Sequence, residues 1–303
     1  MTYFLYRFSS YLSSIKMSSS LQQQDLVIFN DNSLFSDNLF QDYNSLSLIT
    51  HVQGTSDPWL ITGLIENLLV GSCYINHKTT GSFSVGSSYN IRSNPRSHVV
   101  FGSFINNAQF YNKSLVKYMK MDIINTTRNS CFKFVDLMDH TINNHTRPIS
   151  EIFKPIHEQI KIVKSNSHTN DTHKKINIII EAPEILLQMK EDASAIDLIR
   201  ELHLLQKLGN VILSISSDEP LIDYSEFESD VSTKHAVLLS SLIHKSNLLI
   251  SLRRLSTGRA DDITGELKIH KACVGFEDIG LEIIEKSYLY NVNKESTVKL
   301  FFK

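Results

Sequence analysis

SLSLITHVQGTSDPWLITGLIENLL, residues 45–69, sets an apolar run, a short glycine-containing turn and a helical stretch in immediate succession. A strand that passes through such a turn into a helix is where a nucleotide-binding α/β protein carries its phosphate loop, because turn amides and a helix N-terminus attract anions. The motif GxxxxGK[ST] tests this. Laid from Gly54, it puts Trp59 at the second glycine, Leu60 at the phosphate-binding lysine and Ile61 at the magnesium-binding hydroxyl. Trp59 keeps backbone and phosphate apart, Leu60 brings no charge, and Asp57 repels a polyphosphate at the mouth of the loop. No Gly-Lys-Ser or Gly-Lys-Thr occurs elsewhere in the chain. The stretch predicts an α/β fold with a degenerate phosphate loop and no nucleotide hydrolysis by this chain alone.

Outward from it, short apolar runs alternate with longer helical ones from Asp25 onward, which predicts a mostly parallel sheet flanked by helices. Strands are expected at 26–29, 46–51, 98–104, 132–137, 176–180 and 211–214, several of them continuous apolar runs of the kind covered on both faces. Residues 194–208 predict a helix with Ser194 and Asp197 at capping-box spacing, Ile196, Ile199, Leu202, Leu205 and Leu208 on one face, and Gly209 as its stop. A second helix is expected at 232–244. The pattern then changes to strands at 248–255, 265–271, 281–290 and 297–301 joined by short turns, an antiparallel run extending the sheet.

The chain of 303 residues has 30 Lys and Arg against 32 Asp and Glu, a net charge of -2 that excludes a globally basic nucleic-acid binder. Its length suits a single domain, residues 25–303, with polar insertions near 71–97, 164–175 and 216–231. No apolar run approaches the roughly 20 residues of a membrane-crossing helix. Cys73, Cys131 and Cys273 are odd in number and far apart, which excludes a disulfide framework and fits a reducing cytosol or nucleus. Residues 1–24 carry Arg7 and Lys16 without an acid. They read as a disordered or processed segment outside the fold, with Met17 an alternative start; a mitochondrial presequence is the other reading.

INIIIE, residues 176–181, has the pattern of a Walker B strand whose terminal carboxylate orients magnesium. With no phosphate loop opposite it, Glu181 reads as a solvent-facing acid capping a buried strand. Glu184 and Asp136 read the same way. His140 with His145, and His168 with His173, do not share a helical face, so no metal site is expected. HExxH and GxSxG are absent. Arg253, Arg254 and Arg259 cluster where a strand leads into the turn TGRADDITG, and Lys268 and Lys271 follow on the returning strand. This cluster is the candidate RNA contact, opposed by Asp261 and Asp262 in the same turn. Trp59, Tyr288, Tyr290 and Phe301 are candidate subunit-interface aromatics, the last three equally readable as core.

QQDLVIFNDNSLFSDNLFQDYNSLSLITH, WLITGLIENLLVGS, IIIEAPEILL, LSTGRADDITGELKIHKA and SYLYNVNKESTVKLFF together resemble the family of the sixth subunit of the Elongator complex, over residues 23–303 outside the polar loops. The resemblance implies a RecA-like fold without working Walker motifs and no cofactor. It implies pairing with Elongator subunits four and five in a six-membered ring, two copies of each, that binds transfer RNA (tRNA) and serves the catalytic subcomplex modifying wobble uridines. The basic N-terminus and the long loop after Gly71 depart from the family pattern. The competing functional class is a RecA-like, nucleotide-dependent DNA-binding factor of the recombination-mediator type, which the residues at 60 and 61 disfavour.

Overall fold

A computed structural model describes residues 23–24, 26, 44–55, 57–71, 96–119, 131–144, 146–166, 175–218, 230–256, 258, 260, 262–272, 283–293 and 297–303. Ten strands form one sheet: β1 Gln23–Gln24, β2 Leu46–His51, β3 His98–Ser103, β4 Phe132–Asp136, β5 Ile176–Glu181, β6 Asn210–Ser216, β7 Leu248–Arg253, β8 Gly265–Lys271, β9 Lys286–Val292 and β10 Val298–Phe302. Their order is β1-β10-β9-β8-β7-β2-β6-β5-β3-β4. From β7 to β4 neighbours run parallel, and from β7 to β1 they run antiparallel.

The described helices are α1 Pro58–Val70, α2 Ala108–Met119, α3 Leu137–Asn143, α4 Ile149–Ile152, α5 Lys154–Asn166, α6 Ile185–Met189, α7 Ala195–Gln206 and α8 Asp230–Lys245. On one face of the sheet α1 and α2 pack Leu60, Leu64, Leu68, Tyr111 and Leu115 against Ile49, Phe101, Ile250 and the inward aromatics of β9. On the other face α3 to α8 pack Leu137, Ile156, Leu186, Leu202 and Leu238 against Leu48, Val100, Ile178 and Leu213. Pro58 supplies a preset φ in the first turn of α1, and Gly71, at φ 80°, closes its C-terminus with its N–H on the Asn67 carbonyl. Leu60, Ile61, Leu64, Ile65, Leu68 and Leu69 are all fully buried, as expected of a helix apolar nearly all round.

Asparagines tie the N-terminal ends of the central strands. Asn247 and Asn210 accept from the Leu46 and Ser45 amides, and Asn210 donates to Asn177, which donates to Ser97. These bonds fix strand register, Asn210 and Asn177 through both amide atoms and Asn247 through its Oδ1, its buried Nδ2 being left without a partner.

Two expectations are corrected, and a third falls mostly outside the described residues. The first described strand lies at Gln23–Gln24; of the strand expected at 26–29, Leu26 is buried outside any described strand and 27–29 lie outside the described residues. The paired residues thus begin just ahead of Asp25. In α7, Ser194 Oγ accepts from the Ile196 amide at 3.2 Å, so the cap does not reach Asp197. Ile196 is also 63% exposed, and the inward face is Ala195, Leu198, Ile199, Leu202 and Leu205. Successive steps of three residues each rotate about 60° short of a full turn, so five such positions cannot share one face.

Candidate functional site at the carboxyl edge of the sheet

Ligands of open α/β sheets sit beyond the carboxyl ends of the parallel strands. Here β2, β3, β5, β6 and β7 end in His51, Ser103, Glu181, Ser216 and Arg253. The turn after β2 is held shut on itself: the Thr55 amide donates to the Val52 carbonyl at 2.9 Å and Thr55 Oγ1 accepts from the Val52 amide at 3.1 Å. The Gln53 amide donates to Asp218 Oδ1, and Arg254 Nε donates to the Gln53 carbonyl. Gly54 takes φ +85°, and a Cβ there would stand 3.1 Å from Arg254 Nε. A carboxylate therefore holds an amide a phosphate would need, and a guanidinium lies against the glycine.

Behind the turn, Asp57 at the N-cap of α1 accepts from Ser214 Oγ, and His51 Nε2 stands 4.0 Å from Asp57 Oδ2. A carboxylate of the chain itself thus stands at the N-cap position of α1, bonded to Ser214 and not to the helix amides. Leu60 and Ile61 are fully buried, so the positions of the missing lysine and hydroxyl point into the core.

Glu181 and Glu184 are not solvent-facing, which corrects the sequence expectation. Glu181 is 2% exposed and accepts from Ser103 Oγ, Tyr111 Oη and, at 3.1 Å, Asn106 Nδ2. Burial, then the nearby Asp57 charge, pushes its carboxyl up to about 7 against the pull of these donors. Glu184 is 3% exposed; its Oε1 accepts from the Ser216 amide at 2.8 Å, and burial pushes it up to about 8. Between them Ala182 takes φ 56°, a left-handed conformation costing an alanine on the order of 1 kcal/mol, with its amide on the Ser214 carbonyl. His235 of α8 bonds the Ser216 carbonyl at 2.9 Å, and burial lowers its pKa. Asp136 caps α3 by accepting from the Asp139 amide at 2.9 Å and is likewise engaged.

Among the described residues no group of three or more His, Cys, Asp or Glu could hold a metal ion. No described helix is long and apolar enough to cross a membrane. His140 lies on α3, facing the Glu151 carbonyl at 3.3 Å; His145, His168 and His173 lie outside the described residues.

The basic cluster divides. Arg253 pairs in register with Glu266 and is exposed, whereas Arg254 lies on the turn at Gly54. Lys268 shares the face of Arg253 and approaches Glu266 at 3.3 Å, while Lys271 lies on the opposite face. Arg259 falls outside the described residues.

The aromatics divide too. Trp59, Tyr288 and Tyr290 are buried within this chain, with Trp59 and Tyr290 ring centroids 5.7 Å apart, so they are core and not interface. Phe301 alone of the four is half-buried. Tyr111 and Ser103, which hold Glu181, were missed by sequence reasoning; nothing local marks residues 70 and 78 positions away as its partners.

The sheet order and the two helical layers define a RecA-like α/β protein, and its turn after β2 is closed by the chain's own Asp218 and Arg254. The flagellar accessory protein FlaH from Methanocaldococcus jannaschii has this fold, with a TM-score of 0.52 at 11% identity over 94% of this chain and all of that one. The KaiC-like protein PH0186 from Pyrococcus horikoshii aligns with a TM-score of 0.45 at 11% identity over 85% of this chain and 89% of that one. No family model matches. Elongator complex protein 6 of Saccharomyces cerevisiae is 30% identical over 290 residues, 94% of this chain and 99% of its own length, and the chain belongs to the Elongator complex protein 6 family.

Proposed function

We propose that the chain is a non-catalytic structural subunit of the Elongator accessory subcomplex. It joins Elongator subunits four and five in a ring of six chains, two copies of each, that binds tRNA and supports wobble-uridine modification by the catalytic subcomplex. It works as one domain with polar insertions, in the cytoplasm and also the nucleus. Family membership and the RecA-like fold support this reading, since such domains meet head to tail through unlike faces and a rotation that closes makes a ring.

The observation that carries the non-catalytic part is the filled turn: Asp218 on the Gln53 amide, Arg254 against Gly54, and Leu60 and Ile61 buried. A nucleotide-dependent DNA-binding factor would need that turn open. Light scattering on a gel-filtration column tests the assembly, with the chain alone and after co-expression with subunits four and five. Six chains with all three present are expected; a monomer that ignores both partners overturns the reading. Calorimetric titration of the chain alone with magnesium and ATP is expected to give no heat of binding.

A further inference from the structure

Antiparallel register places directly opposed side chains on the same face of a sheet. Arg253 of β7 opposes Glu266 of β8, Glu266 opposes Leu289 of β9, and Leu289 opposes Phe301 of β10. Lys268 and Lys299 belong to the same set by alternation, and Lys303 joins it through its ion pair with Glu266 at 2.6 Å. The opposite face of these strands carries Leu252, Leu267, Tyr288, Tyr290 and Leu300 into the core. On the outer face Arg253, Lys299 and Lys303 are exposed, and Lys268, Leu289 and Phe301 are half-buried.

Four cations therefore share the face with two carboxylates, the buried Glu266 and the exposed Glu285, which approaches His270 of β8 at 4.0 Å. Glu266 is itself buried and paired with Lys268 and Lys303. The face remains net positive on a chain whose overall charge is -2. Arg253 and Phe301 lie three strand spacings apart, about 14 Å at about 4.8 Å per step, with Glu266 and Leu289 between them, and Lys299 stands beside Phe301 on the same strand. A cation and an aromatic side by side on β10, with further cations on β7 and β8, suit phosphates and a neighbouring base; an acidic peptide would leave Phe301 without a counterpart.

We infer that this outer face of β7 to β10 is where the chain grips RNA, with Arg253, Lys268, Lys299 and Lys303 on phosphates of a single-stranded stretch and Phe301 stacked on a base. The inference rests on the ring reading and moves the RNA contact off Arg254 and Lys271. The test uses the three-subunit complex and a fluorescently labelled oligouridine, titrated at several salt concentrations.

The Arg253→Ala/Lys299→Ala variant is expected to weaken binding on the order of tenfold in low salt and to lower the slope of log affinity against log salt by roughly one to two. Phe301→Ala should weaken binding on the order of tenfold at every salt concentration and keep the slope. Lys271→Ala should change neither. An unchanged slope in the double variant overturns the proposal. So does shielding of Lys299 and Lys303 from amine-reactive label when the complex assembles without RNA, because the face then belongs to a neighbouring subunit. Light scattering on the same samples separates the two readings: without a six-chain complex the ring fails, and the same titration on the chain alone decides the face.

Discussion

Glu184 shows how a single buried carboxyl reports the state of the sheet edge. Its folded pKa, raised mainly by burial to about 8, lies above the ordinary carboxyl range, so the protonated form belongs to the folded state. The stability this carboxyl contributes is complete below its unfolded pKa and is lost as pH rises toward about 8. His235 acts oppositely: its lowered pKa contributes stability that is lost as pH falls below the usual imidazole range. Above about pH 6.5 the carboxyls act alone. The melting temperature is therefore expected to fall between pH 6.5 and 8.5, by the equivalent of about 1–2 kcal/mol. Glu184→Gln keeps the oxygen that accepts from the Ser216 amide and should flatten that fall, which calorimetry across the pH series would read directly. An equally steep fall in the variant would remove Glu184 from the account.

The joint between α7 and β6 is fixed by Gly209, whose missing side chain lets two strands meet. A Cβ there would lie 2.4 Å from the Ile176 carbonyl oxygen, a backbone atom that cannot rotate away. Gly209→Ala is expected to cost about 1–3 kcal/mol, with chemical denaturation as the measure; Gly209→Ala at wild-type stability would show that the joint can shift. The sequence marks Gly209 as a helix stop, but not this second duty, because Ile176 is distant in the chain. The same division runs through the other elements. β2 and β8 were legible to the residue, since each is a continuous or alternating run between turn signals. Ile196 was misplaced because a spacing of three was followed past the angle a helix face allows. Glu181 was misread as solvent-facing because an acid at a strand end looks the same whether or not Ser103 and Tyr111 come round to cover it. The residue types at Leu60 and Ile61 were legible, and the structure shows both buried; the shut turn was not legible, because Asp218 and Arg254 reach it from beyond the ends of β6 and β7.

At the scale of the whole molecule, the first described residues close the last strand. Gln23 and Gln24 pair with Phe301 and Leu300, so the β10 edge of the sheet is covered by β1, and Leu26 immediately beyond is fully buried among the core of α1 and β7 to β10. A sheet edge left open invites pairing with another chain, and a buried leucine contributes about 1.5–3 kcal/mol. Two shortened chains separate these contributions from whatever precedes them. A chain beginning at Met17 keeps β1 and Leu26 and is expected to melt with the full-length protein. A chain beginning at Val27 loses both, and should unfold at lower denaturant by the equivalent of about 2–4 kcal/mol and self-associate through β10. Denaturant titration with light scattering on both reads stability and association together. If the Val27 chain matched the full-length protein in both, the pairing at Gln23–Gln24 would contribute nothing, and the sheet would stand complete at β10.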